Sequence, residues 1–167
     1  MIRNQMNEIL DALPESELEK LYWPLVSIHK NYLFRKNVTD KGVLISEVLE
    51  DSQKIIDSWD RAFAQNISLD VKESIYYNQF KWHIFSYKKQ ECLIDYLARE
   101  AFDAASKDEL YVMYQNSPDV WLYSHANQVV SADFDSEQDI YVFDKNFSWT
   151  YVHTHESMCG PYFYSKS

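Results

Sequence analysis

Apolar positions early in the chain fall at helical spacing. Ile2, Met6, Ile9, Leu10 and Leu13 lie on one face of a helix that Pro14 closes. Glu15, Glu17 and Glu19 then suit the positive end of a second helix, and Lys30, Arg35 and Lys36 suit its far end. Leu18, Leu21, Tyr22, Leu25, Ile28 and Tyr32 form its stripe. Pro24 lies inside that stripe and predicts a kink or interruption. Residues 1–38 are therefore expected to be a helical extension, either packed on the following domain or held out as a docking arm. Residues 39–167 are expected to form one domain.

In that domain the pattern changes repeatedly. Asp40-Lys41-Gly42 reads as a turn, and Val43, Leu44, Ile45 and Val48 as a short strand. Ile55, Ile56, Trp59, Ala62 and Phe63 recur as a helix face opposite Lys54, Asp57, Asp60 and Arg61. Ser68 is placed to cap a short helix with Asp70 in its first turn. Phe80 to Tyr87 carries large residues on both faces, which predicts a central strand covered on both sides. Leu93, Ile94, Leu97, Ala98, Ala101 and Phe102 predict a helix, and Leu110 to Tyr114 a strand. Pro118 suits the first turn of a further helix.

The densest aromatic and imidazole stretch comes last. Ile140 to Phe143 are β-branched or aromatic, Asp144-Lys145-Asn146 supplies turn chemistry, and strand residues resume at Trp149. This predicts a β-hairpin in which Trp149, Tyr151, His153 and His155 share one face, because side chains alternate along a strand. Gly160-Pro161 breaks the chain, and Tyr162-Phe163-Tyr164 can add a last short strand. Helices and strands mix first and strands cluster late, an α+β pattern. The expected architecture is a mixed or antiparallel sheet of about four to five strands, with helices on one side and a C-terminal hairpin.

Several of these stretches together resemble a known family. They are Phe80-x-Trp-His-x-Phe-Ser-Tyr87, Ala98-Arg-x-x-Ala-Phe-Asp103, Asp139-x-Tyr-Val-x-Asp144, and Trp149-Thr-Tyr-Val-x-Thr-His-Glu156 with Cys159-Gly-Pro-Tyr-Phe163. The combined pattern, from about Asp40 to Tyr164, resembles the bacterial domain of unknown function 4275 family. The resemblance implies a bacterial, cytoplasmic protein and supplies no activity. The hairpin's His-Glu ending also loosely resembles small acidic immunity proteins that neutralise toxins.

Composition narrows the chemistry. Gly42 and Gly160 are the only glycines among 167 residues, so neither a G-x-G-x-x-G turn nor a P-loop can form. The net charge is −10, and from Asp108 onward nine acids face two bases. Such a surface repels phosphate backbones and anionic membranes and favours a basic partner. No run reaches the length of a membrane span, and the start has no apolar leader, which points to a cytoplasmic chain with reduced thiols. Cys92 and Cys159 have no C-x-x-C neighbour. No cofactor motif is present, and oligomeric state is not legible.

Two functional readings remain. In the first, the chain is a non-catalytic binding module for a basic protein, immunity-like or inhibitor-like. Its contacts would be Trp121, Tyr123, Asp133, Asp135, Asp139, Trp149, Tyr151, His153 and His155, aromatic anchors beside acid. In the second it is a small metal-dependent hydrolase. His153 and His155 stand two apart, Glu156 follows as a base, and His83 is a third imidazole. The spacing of Asp133, Asp135, Glu137, Asp139 and Asp144 faintly matches a calcium loop, but Gln138 stands where glycine is needed. Cys159 near the imidazoles invites a thiol-nucleophile reading, which needs thiolate activation and an oxyanion site, whereas Cys159-Gly-Pro in a turn more often serves backbone geometry. The imidazoles fit hydrogen-bonded structural roles better than a metal site, and the first reading is preferred.

Overall fold

The computed structural model describes residues 1–166. Contacts divide the chain into two units, Met1–Lys36 and Asn37–Ser167. The first consists of helix α1 (Ile2–Ala12) and most of α2 (Glu15–Thr39). Helix α2 continues through Pro24, so the expected interruption there does not occur. No residue of α1 is buried.

The second unit is built on one antiparallel sheet. Its strands are β1 (Leu44–Glu47), β2 (Leu93–Ile94), β3 (Glu109–Tyr114), β4 (Val120–Ser124), β5 (Ile140–Asp144), β6 (Trp149–His153) and β7 (Tyr162–Ser165). Their order is β1-β4-β3-β5-β6-β7-β2. The expected four to five strands are an undercount among the described residues. Two edge strands are very short, and Val120–Ser124 is a strand and not the helix expected after Pro118. Those residues pair with β1 on one side and β3 on the other, and this tertiary pairing outweighs a helix-start signal at one proline.

The helices are α3 (Ser52–Phe63), α4 (Leu69–Ser74), α5 (His83–Ser86) and α6 (Asp95–Ala104). Ser68 caps α4 by accepting from the Val71 amide. The strand expected over Phe80 to Tyr87 is a turn and the short helix α5. Its aromatic residues have high β propensity, but their amides close helical turns, as from Phe80 to the Tyr76 carbonyl and from Tyr87 to His83. Leu93 and Ile94, expected inside a helix, are instead β2.

Helices cover both faces of the sheet, so the expected one-sided arrangement is corrected. On one face Ile55, Trp59 and Phe63 of α3 join Trp82, Ile84 and Phe85 against Met113, Tyr141, Phe143 and Val152. Trp59 is fully buried there, and its indole N–H donates to Thr150 Oγ1 at 3.0 Å. On the other face the Phe102 ring of α6 lies 4.6 Å from Tyr151 and 5.7 Å from Trp149, with Phe134 5.8 Å from Phe102. Lys107 fixes the end of α6. Its buried ammonium donates to the carbonyls of Phe102, Asp103 and Ala105 at 2.7 to 2.9 Å, filling acceptors that a helix terminus leaves open. Burial lowers its pKa.

Candidate functional site

The β5–β6 hairpin forms as the alternation predicts, with Ile140 opposite His153 and Val142 opposite Tyr151. Antiparallel pairing puts the residues entering β5 beside those leaving β6. Between them, with Arg99 of α6 on the wall, lies a cleft of about 300 Å³. Its lining includes Arg99, Asp135, Glu137, His153, His155, Glu156 and Cys159.

Each imidazole is held by one nitrogen. His153 Nδ1 lies 2.8 Å from the Glu137 carbonyl oxygen, and His155 Nδ1 lies 2.9 Å from both Asp139 carboxylate oxygens. Both partners only accept, so Nδ1 carries the proton in each ring and Nε2 faces other groups. Asp139 has left-handed backbone (φ 51°), which aspartate tolerates better than most residues. Its Oδ1 also accepts from the Trp82 indole at 2.9 Å and from the His155 amide at 3.3 Å. The His155 ring rests against Phe80 and Trp82, at 5.0 and 5.9 Å. Its Nε2 is 3.8 Å from Glu156 Oε1.

Cys159 completes the floor. Its Sγ donates to Glu156 Oε2 at 3.2 Å, and Thr154 Oγ1 donates to the carbonyls of Glu156 and Cys159. Burial first, then the Glu156 carboxylate, pushes the thiol pKa up. A thiol held in its protonated form is a poor nucleophile. Arg99 Nη1 pairs with Asp135 Oδ1 at 2.7 Å. Beneath them the Tyr151 hydroxyl is the one buried side-chain polar atom without a partner among the described residues. Burial, above all, raises its pKa, and the charges of Arg99, Asp135 and Asp103 all bear on it.

The predicted residues are redistributed. Trp149, Tyr151 and His153 do share a face. His155 does not continue it, because β6 ends at His153 and the Thr154 hydrogen bonds turn the chain toward Asp139. Tyr123, Trp149 and Tyr151 are 3%, 8% and 0% exposed, so their rings are core and not partner anchors. Trp121 is half-buried on β4. His83 is not in the cleft: it packs 4.5 Å from Trp82, with Nδ1 2.5 Å from the Ile75 carbonyl oxygen. Among the described residues no group of three or more His, Cys, Asp or Glu side chains is arranged to hold a metal ion.

The acidic stretch is dispersed as well. Asp133 accepts from Lys41, Asn37 and the Val130 amide, while Glu137 accepts from the Tyr114 hydroxyl. Asp144 caps the hairpin turn through the Ser148 and Trp149 amides. These carboxylates point at separate protein donors, so the calcium-loop spacing does not converge on one ion.

Arg99 and the Asp139–His155 pair are what sequence reasoning missed. Arg99 lies 36 residues before its partner Asp135, and no local spacing announces that pairing. The Asp139–His155 pair follows once the hairpin register is known.

A family model described as a domain of unknown function (DUF4275) matches residues 32–163. Searches of curated proteins and of solved structures give no match.

Proposed function

The chain belongs to the domain of unknown function 4275 family, and from that premise we propose that it is a binding module for a basic protein. The carrying observation is where the charge lies. Residues 1–36 hold five bases and five acids, whereas residues 37–167 hold eleven bases and twenty-one acids. The whole excess of −10 therefore belongs to the second unit. The cleft repeats this on a small scale, with Asp135, Glu137 and Glu156 facing the single guanidinium of Arg99. A lysine or arginine side chain of a partner suits this cleft, drawn in by the surrounding field. His153 and His155, braced by Glu137 and Asp139, make its walls rigid.

An immunity-like or inhibitor-like role is the finer form of this reading, because a rigid acidic surface suits blocking a basic one. The hydrolase alternative has less support, since His83 does not line the cleft that holds His153 and His155.

Titration with a short arginine-rich peptide tests the reading. Binding is expected to weaken at least about tenfold between about 0.05 and about 0.3 M salt. Glu156→Gln with Asp135→Asn should weaken it further at low salt. Equal affinity for an acidic peptide, or no salt dependence, would overturn the proposal.

A further inference from the structure

The Arg99–Asp135 pair on the cleft wall lies over an unanswered group. Tyr151 is fully buried, and its hydroxyl has no hydrogen-bond partner among the described residues. Buried polar groups are nearly always bonded, so such an exception calls for a reason. The Tyr151 ring lies 4.6 Å from Phe102, one turn along α6 from Arg99, and 6.4 Å from Phe134, the neighbour of Asp135. The charges of Arg99, Asp135 and Asp103 are close enough to act on the hydroxyl.

Of these three, Arg99 is the donor. A guanidinium carries several N–H groups, and Nη1 gives one to Asp135 Oδ1 at 2.7 Å. That pair is weakly held, because its side chains are 31% and 51% exposed and water screens such contacts. Asp103 stands one turn beyond Arg99 on the same side of α6. It is fixed by the Ser131 amide and hydroxyl, which donate to it at 2.6 and 3.3 Å. A guanidinium turned inward would meet a hydroxyl that accepts and a carboxylate that balances its charge. Left where it is, Arg99 is the only lysine or arginine of the cleft lining among the described residues, and it opposes a second cation.

We propose that Arg99 is the internal occupant of the partner's cation site. A partner's ammonium or guanidinium displaces it from Asp135, and Arg99 turns inward to donate to the Tyr151 hydroxyl beside Asp103. An exposed ion pair is kept, now with the partner, and a buried charge-assisted bond is added. The exchange rests on the reading of the cleft as the site of a basic partner.

A double-mutant cycle read by titration with the arginine-rich peptide at about 0.05 M salt tests it. Tyr151→Phe deletes an oxygen that is buried away from any partner. When free, this variant should unfold at the same or a higher denaturant concentration, since no bond is lost. It should nevertheless bind the peptide at least about fivefold more weakly than the native chain. Arg99→Met should bind more tightly than the native chain, and adding Tyr151→Phe to it should change affinity by less than about twofold. Equal affinity of the native chain and Tyr151→Phe overturns the exchange and leaves the acidic-cleft reading standing. So does a free Tyr151→Phe chain that is destabilised, because the hydroxyl is then already satisfied by a bound water. Weaker binding by Arg99→Met, or a Tyr151→Phe effect of equal size with and without Arg99, overturns the exchange as well. No binding by the native chain overturns the acidic-cleft reading and the exchange together.

Discussion

Ile28 and Trp59 are both large apolar residues on helical stripes, and they have opposite fates. Trp59 is fully buried against the sheet, whereas Ile28 is 66% exposed. The contrast holds for the two units as wholes. In residues 37–167 apolar stripes close on both faces of a sheet, and among the described residues the buried side-chain polar atoms find partners, the Tyr151 hydroxyl excepted. In residues 1–36 large apolar residues stay open on more than one helix face, with Ile2, Ile9, Trp23 and Ile28 at 69%, 59%, 71% and 66% exposure. An apolar stripe is thus a statement that something must be covered. It does not say whether the cover comes from the same chain.

Three measurements would break or sharpen that contrast. The largest effect is expected for Trp59→Ala. It removes a ring packed 5.2 Å from Tyr141 and 5.4 Å from Phe63, and it leaves Thr150 without its indole donor. Denaturant unfolding should show a loss of about 3–5 kcal/mol. A loss below about 1 kcal/mol would mean that the second unit is far looser than its burial implies.

Alkaline pH should come next. Burial raises the pKa values of Tyr77, Tyr141 and Tyr151 above the ordinary 10.0. A raised folded-state pKa means that the native form holds the proton more tightly. Their contribution is therefore complete below about pH 10 and is lost as pH rises toward the folded values. Each of the three should remove up to about 1.4 kcal/mol per pH unit in that range. Cys92, pushed up to about 11 by burial, begins the same decline near its ordinary 9.0. Phenolate absorbance should lag behind that of the denatured chain, and coincident titrations would refute the assignment.

The smallest effect is expected for Ile28→Ala. In dilute solution it should shift the unfolding of the second unit by less than about 0.5 kcal/mol. A shift comparable to that of Trp59→Ala would make the two units one cooperative structure.

Much of the second unit was legible because its signals are local. Alternation through Ile140 to Phe143, the Asp144-Lys145-Asn146 turn and the stripe of Ile55, Trp59 and Phe63 act over a few residues, and each yields the element expected. What escaped depends on distant partners. The run from Phe80 to Tyr87 has strand propensity, yet Trp82, Ile84 and Phe85 are buried against Met113, Tyr141, Phe143 and Val152, on strands that come later in the sequence. Val120–Ser124 is a strand because β1 and β3 flank it. In the candidate site, alternation correctly joined Trp149, Tyr151 and His153. It failed at His155 because the strand stops where Thr154 bends the chain. Nor could alternation reveal that α6 lies over Trp149 and Tyr151 and removes them from the surface.

The order of the sheet also bears on how the molecule comes into being. The two earliest strands hold the two margins, yet β1 finds its neighbour only in β4 and β2 only in β7. A nascent polypeptide leaving the ribosome cannot seat Leu93 and Ile94 until Tyr162 and Phe163 have emerged. Assembly of this sheet is consequently a late event in synthesis, and earlier segments must wait with apolar surface uncovered, the condition in which chaperones engage a chain.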